Sequence, residues 1–456
     1  MNAIWFFFWF VVAVSLLVTV HEFGHYWVAR QLGFKVLRFS VGFGRPLIKR
    51  IWGADRTEYV IAALPLGGYV KLLDEREAPV APGELARSFN RKPPWQRILV
   101  LLAGPFFNIA FAILALWLIL AVAGTTEVRA VVGAVLPDSI AGKAGLTKDD
   151  VIVAINDQEV GGQRDVVFGL LDAVSGDGEI RMRVKRNRTD HDLLLEVADL
   201  QLRRTLTEPD QLMRGLGFGF WRPDIPPVAG KVVADGPAAR AGLKDGDRII
   251  AVNGERVASF EDLARRINAI PGTSAVLRLE RNGSDMSLRV QVGAYEQDGK
   301  RIGRILVEPV GSIAYPEEML FKSRSGPIAA LSGACSEAWR LTVMQARLFT
   351  RMVLGRVSLK NLSGPLSIAQ YAGESAQAGF LTFVNFLVLI SLSLGFLNLL
   401  PIPILDGGQI LFQLAEWIKG SPLSEQVQSI GQQLGIALLL LLMGVAIFND
   451  VARQFG

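Results

Sequence analysis

The chain has 456 residues, half of them hydrophobic and a fifth charged, with a formal net charge of +5. That length allows two or three domains of ~150 residues, provided none of it lies in a bilayer. Cys335 is the only cysteine, which excludes a disulfide framework and a thiolate zinc cluster within one chain. The basic excess follows the membrane topology read below, so the lipid bilayer is the expected partner and no nucleic acid is expected.

The first element, AIWFFFWFVVAVSLLVTV (Ala3 to Val20), carries no charge and reaches the ~18 residues expected of a spanning helix. A secretory signal fits worse: Met1-Asn2 brings no Lys or Arg, the apolar run exceeds ~15 residues, and no small-x-small cleavage site follows. Residues 1–30 are therefore read as a first span that runs on into HEFGH. On a helix, positions i and i+4 share a face, so His21 and His25 can aim imidazole nitrogens at one metal ion. Glu22 reaches a water at that ion rather than the ion itself. The pattern is that of zinc hydrolysis: the metal brings the pKa of a water to ~7 and a carboxylate takes its proton during attack on a carbonyl. Unpaired in lipid, each ionisable group would cost roughly 2.5–3.5 kcal/mol, a penalty that a shared metal removes. The alternative is a polar cluster used for helix packing. At ~1.5 Å per residue the histidines lie roughly 7–14 Å back from Arg30, inside the bilayer.

Residues 31–96 form a loop. From Arg30 to Arg97 there are thirteen basic residues against six acidic ones, so the positive-inside rule makes this side cytoplasmic. A second span covers 97–124, and three more elements follow from the apolar pattern: a third span at 378–400, an LDGG segment at 401–430 that is cytoplasmic or interfacial, and a fourth span at 431–449. Four spans put both termini and the stretch 125–377 on the far side.

That stretch contains a repeat. VVGAVLPDSIAGKAGLTKDDVIVAINDQEV (Val131 to Val160) lies over VAGKVVADGPAARAGLKDGDRIIAVNGERV (Val228 to Val257), with Gly133 over Gly230 and Asp150 over Asp247, each pair 97 apart (230 − 133). Each copy predicts a strand, a short helix at AGL, an aspartate starting a turn, an apolar strand and an Asn-led turn. Each closes on an echo, LGFGFWRP or IGRILVEP. The second copy resembles a bacterial PDZ domain and the first is a looser match, which gives units at 125–223 and 224–311. A PDZ fold binds peptides or chain ends by strand addition; the other reading is that the pair only occludes. Residues 312–377 read as an amphipathic helical segment lying on the membrane or against the pair, with Cys335 as an ordinary small apolar residue.

Tetrahedral catalytic zinc needs a third protein ligand. The chain has three histidines, and His191 lies in the first repeat across the membrane, so a carboxylate must serve. The third span runs out-to-in, as the first does, and ends in FLNLLPIPILDGG. Pro401 and Pro403 break the helix, Gly407-Gly408 let the backbone turn, and Asp406 is left at the face of His25. Glu416 is the rival ligand, ten residues further on.

With those residues in hand the chain resembles the site-2 protease family of intramembrane zinc metalloproteases, through HEFGH, ALPLGGYVK (63–71), AGPFFN (103–108), the tandem repeat, LSGPLSIA (362–369) and NLLPIPILDGG (398–408). The resemblance implies a polytopic α-helical membrane protein with four transmembrane helices, a membrane-dipping β-hairpin at about 57–72 and two inserted PDZ (α+β) domains. It implies Zn2+ held by His21, His25 and Asp406, with Glu22 catalytic. Gln409 stands where some relatives would carry histidine, next to the ligand. Gly67, Gly68 and Tyr69 of the hairpin are expected at the substrate, offered as an edge strand. Asn398 either holds the substrate backbone or makes an interhelical hydrogen bond, and Asn108 faces the same choice. The resemblance further implies a bacterial inner-membrane location, periplasmic PDZ domains and an active site toward the cytoplasm. The implied substrate is a single-span anti-sigma factor of the envelope stress response, trimmed beforehand, with remnant signal peptides as another class. The competing reading is a membrane-anchored PDZ scaffold with an inactive metal site.

Overall fold

The computed structural model describes residues 3–297, 300–310, 315–324 and 326–455. The expected junction at 311/312 between the second repeat and the helical segment lies outside the described residues.

Among the described residues four helices are long and apolar enough to cross a membrane: Ala3–Gln31, Pro94–Ala123, Phe380–Asn398 and Glu425–Arg453. Their outward faces carry Ile4, Phe7, Phe380, Leu440 and Phe448, all more than half exposed. Lipid is the solvent that tolerates such faces, because every main-chain polar group is already satisfied within the helix. The second helix starts three residues before the expected 97, since Pro94 at its first turn has the required φ and no N–H to lose. The fourth begins at Glu425 rather than 431 and continues to Phe455, because no proline interrupts that stretch.

The segment 36–72 is not a simple ribbon around Pro-Leu-Gly-Gly. Residues 38–41 pair on one side with 58–61 and on the other with 68–71, so the earlier strand lies between the two halves of 57–72. The chain can fold this way because Gly42 and Gly44 adopt φ of +90° and +88°, which bends the first strand back along 57–62. A Cβ at Gly42 would sit 2.8 Å from the Leu64 carbonyl oxygen, so the crossing is closed to larger residues. Segment 68–72 is thereby left as a sheet edge, and it runs beside the first helix.

The two repeats fold alike. In the first, Val151–Ile155 pairs with Gln158–Glu159 and Glu179–Arg186, which pairs with Thr189–Glu196; in the second, Arg248–Val252 pairs with Glu255–Arg256 and Ser274–Arg281, which pairs with Ser284–Gln291. The closing echoes are short strands, Phe218–Phe220 on Val132–Val135 and Val307–Pro309 on Ala229–Val232. The aspartates expected at turns close them, each amide donating to the carbonyl three residues before it, and are buried ion-pair centres besides. Asp247 accepts from the Lys244 amide at 2.8 Å and from Arg281 Nε and Nη2, both at 2.6 Å. Asp150 does the same with Thr147 and Arg186.

Burial acts to raise the Asp247 carboxyl, but the Arg281 guanidinium and the Lys244 amide outweigh it, and its pKa lies below the ordinary value. A depressed pKa contributes stability that is present above the unfolded value of ~3.9 and lost as pH falls through the folded one. Arg281→Leu leaves the buried Asp247 carboxylate without its partner, so the second unit should lose stability. Hydrogen exchange of residues 229–309 in the full chain should show the loss, and it should shrink on acidification below pH 4.

The amphipathic segment contains two helices, Pro327–Val353 and Pro365–Gln377. The first does not lie free on a surface. Ala330, Ala334, Ala338 and Leu341 are buried, and the last three pack with Ala112, Ala115 and Leu116 of the second spanning helix and Val388 and Leu392 of the third. Small side chains permit that close approach. Its arginines face the first repeat: Arg340 donates to Asp165, and Arg347 and Arg351 to Asp172.

Candidate metal centre

The site is assembled where the first two spanning helices touch. A Cβ at Gly24 would lie 2.5 Å from the Ala103 carbonyl oxygen, and one at Gly104 only 2.3 Å from His25 Nε2 and 2.7 Å from His21 Cε1. The missing side chain of Gly104 is the space that both imidazoles occupy. His25 Nδ1 lies 2.7 Å from the Val100 carbonyl oxygen. A carbonyl only accepts, so Nδ1 carries the proton and Nε2 presents its lone pair.

The third donor arrives from the LDGG segment. After Asn398 the chain turns through Leu399–Leu405 and enters the helix Asp406–Lys419, with Asp406 in its first turn. An anionic side chain is favoured there by the helix dipole. Gly407 and Gly408 are part of that helix rather than a turn; their role is close approach, since a Cβ at either would fall 2.2–2.3 Å from the carbonyl oxygens of Ile402 or Leu399.

His21 Nε2, His25 Nε2 and Asp406 Oδ2 converge, 3.2 Å apart for the two nitrogens and 3.2 and 3.5 Å from each nitrogen to the oxygen. Oδ2 is buried and makes no hydrogen bond of acceptable geometry despite those contacts. A tetrahedron with bonds of ~2.0–2.1 Å has edges of about 3.3–3.4 Å, so the three atoms are spaced as one face of a zinc coordination shell. Two neutral imidazoles and a carboxylate are also a donor set that zinc takes with one position left over.

The other candidates fall at different distances from this cluster. Asn398 Nδ2 is 3.4 Å from His21 Nε2. Gly68 touches the helix of HEFGH: a Cβ there would meet Glu22 Cγ at 2.9 Å, and Gly67, at φ +157°, has no room beside Phe43. Tyr69 stacks on Phe43 and accepts from Arg38, which turns it to the sheet rather than to the histidines. Glu416 is excluded as a ligand. It is buried and accepts from Arg97 Nη1 at 2.9 Å, and its other oxygen accepts from the Leu423 amide. Gln409 donates to the Pro403 carbonyl at 2.6 Å and stays off the cluster. Sequence reasoning missed the Val100 carbonyl and the part played by Gly104, because no side chain advertises either.

The Arg97–Glu416 pair joins the start of the second spanning helix to the helix that carries Asp406. Breaking it should cost about 3–5 kcal/mol, since one buried charge would remain. For Arg97→Ala we expect a lower thermal midpoint and partial loss of metal on dilution, measured by thermal unfolding and metal analysis.

Two histidines of an HExxH helix and a distant aspartate, spaced for tetrahedral coordination among membrane-spanning helices, define a zinc metalloendopeptidase of the intramembrane, site-2 type. The family model for peptidase family M50 matches residues 9–442, and the chain belongs to that family. It is 41% identical over 448 residues to a regulator of sigma E protease from Salmonella typhi, covering 97% of this chain and 98% of that one. The Escherichia coli regulator of sigma-E protease is 40% identical over the same shares. A putative zinc metalloprotease of Neisseria meningitidis is 38% identical over 462 residues, 98% of this chain and 99% of its own. Among solved structures, a PDZ domain of an SdrC-like protein from Listeria monocytogenes covers 20% of this chain and 92% of its own at 18% identity, with a TM-score of 0.16.

Proposed function

We propose that the chain cleaves single-span membrane proteins inside the bilayer, with zinc on His21, His25 and Asp406 and Glu22 as general base. The observation that carries this is the convergence of the three donor atoms at tetrahedral spacing. Bound zinc supplies Lewis acidity toward the scissile carbonyl and toward the attacking water. Glu22, one residue on from His21 and packed against Gly68, takes the proton from that water and returns it to the leaving amine. Asn398, beside His21, orients the substrate main chain.

A peptide bond in a helix is shielded by its own hydrogen bonds, so the substrate must be held extended before attack. Segment 68–72 offers a sheet edge against the helix of Glu22, and we assign Gly67, Gly68 and Tyr69 to strand addition there. Glycine at 67 and 68 keeps the approach to Glu22 open, and the hairpin dips into the membrane next to the site.

The shared strand order supports reading both repeats as PDZ domains, at 125–223 and 224–311, on the periplasmic side of a bacterial inner membrane. The metal centre faces the cytoplasmic half, beside the basic loop 31–96. The relatives' names point to sigma-E regulation, hence to a single-span anti-sigma factor trimmed beforehand and admitted past the PDZ pair, with remnant signal peptides as a second class. The complete donor set weighs against an inactive scaffold.

The test is cleavage of candidate single-span proteins with shortened outer domains, by the purified chain in lipid, with and without chelator. Cleavage that stops with chelator and returns with zinc is expected. Cleavage indifferent to chelator, or a chain that never takes up zinc, overturns the proposal.

A further inference from the structure

Asn108 is completely buried in the second spanning helix, and its main-chain oxygen accepts from Ser391 Oγ of the third at 2.8 Å. Its amide nitrogen lies 3.2 Å from His21 Nδ1, while its amide oxygen is buried with no partner. The orientation of an amide is assigned from its surroundings, because oxygen and nitrogen are nearly isosteric. The two orientations make different demands on His21. If Nδ2 donates to His21 Nδ1, the ring proton must sit on Nε2, the atom that faces Asp406 Oδ2 and His25 Nε2. A protonated Nε2 has no lone pair for a metal.

We infer that Asn108 is the positioning residue of His21: its Oδ1 accepts the Nδ1 proton and thereby presents the Nε2 lone pair to zinc. The inference rests on the metal centre proposed above. It makes the two histidines equivalent, since His25 is fixed in the same tautomer by the Val100 carbonyl. An acceptor on the far nitrogen of a metal-binding imidazole sets ring orientation and raises ligand basicity, and its loss typically costs 10–100-fold in metal affinity. Both acceptors come from one helix two turns apart, 100 and 108, with Gly104 between them making room for the rings.

The experiment is zinc affinity by chelator competition on the full chain in lipid nanodiscs, for the wild type, Asn108→Leu and Asn108→Asp. Leucine keeps the branching of the side chain and removes the acceptor, so its zinc affinity should fall 10–100-fold. Aspartate has acceptors and no amide hydrogens; it should hold zinc within about threefold of the wild type, and it decides the matter alone if the leucine variant does not purify. Wild-type zinc affinity in Asn108→Leu overturns the inference, including the case where only KM rises, which would place Asn108 at the substrate. A loss of tenfold or more in Asn108→Asp overturns it too, because His21 would then need the amide hydrogen. A wild type that takes no zinc sinks the metal centre itself, a result distinct from either.

Discussion

Glu22→Gln should bind zinc as the wild type does and cleave its substrate about 10²–10⁴-fold more slowly, the range a positioned general base contributes. The three converging donor atoms belong to His21, His25 and Asp406, so the substitution removes none of them. Glutamine keeps the length and volume of the side chain beside Gly68 but cannot take a proton at neutral pH. Metal analysis and a cleavage time course on one preparation separate the two effects. Turnover near the wild-type rate would remove Glu22 from the role of base, and loss of zinc would make it part of the ligand set.

Gly104→Ala should fail the other way, losing zinc as well as activity. One methyl group at that position would stand 2.3 Å from His25 Nε2 and 2.6 Å from its Cε1. The ring has little freedom to give way, because its Nδ1 is held by Val100, a residue of the same helix as Gly104. Relief would have to come from separating the two spanning helices, which Gly24 packs against Ala103 one step away. We expect zinc stoichiometry well below one and cleavage at background, with the chain still inserted in the membrane. Gly83→Ala is the control: a Cβ there meets nothing within 4 Å, and both readouts should stay at wild-type values.

The two expected results divide the proposed function within the site: Glu22 would move a proton without holding the metal, and Gly104 holds nothing but permits two rings to meet. The Arg97–Glu416 pair and the Asp247–Arg281 pair belong to a third kind, buried charges that fix an element in place and whose loss is read as stability.

Much was legible in the primary structure because it obeys short-range periodicity. Runs of eighteen or more apolar residues announce spanning helices whatever surrounds them, and i, i+4 histidines share a face by helix geometry alone. The repeat was visible from aligned positions, and so was the need for a carboxylate beside the two histidines, there being too few histidines to complete a shell, with Asp406 and Glu416 both open. Tertiary structure decided what depends on contacts between segments far apart in the chain. It removed Glu416 from candidacy by pairing it with Arg97, across 319 positions. It placed strand 36–41 between the two halves of 57–72, which no local pattern distinguishes from a plain hairpin. It made Asp150 and Asp247, which sit in the turns 147–150 and 244–247, buried ion-pair centres as well, because their arginines come from a strand more than thirty residues later. Glycines 104, 407 and 408 gained their meaning in the same way. A residue without a side chain carries no signal of its own, and its value lies in what approaches it, here imidazole rings and main-chain carbonyls brought in by packing.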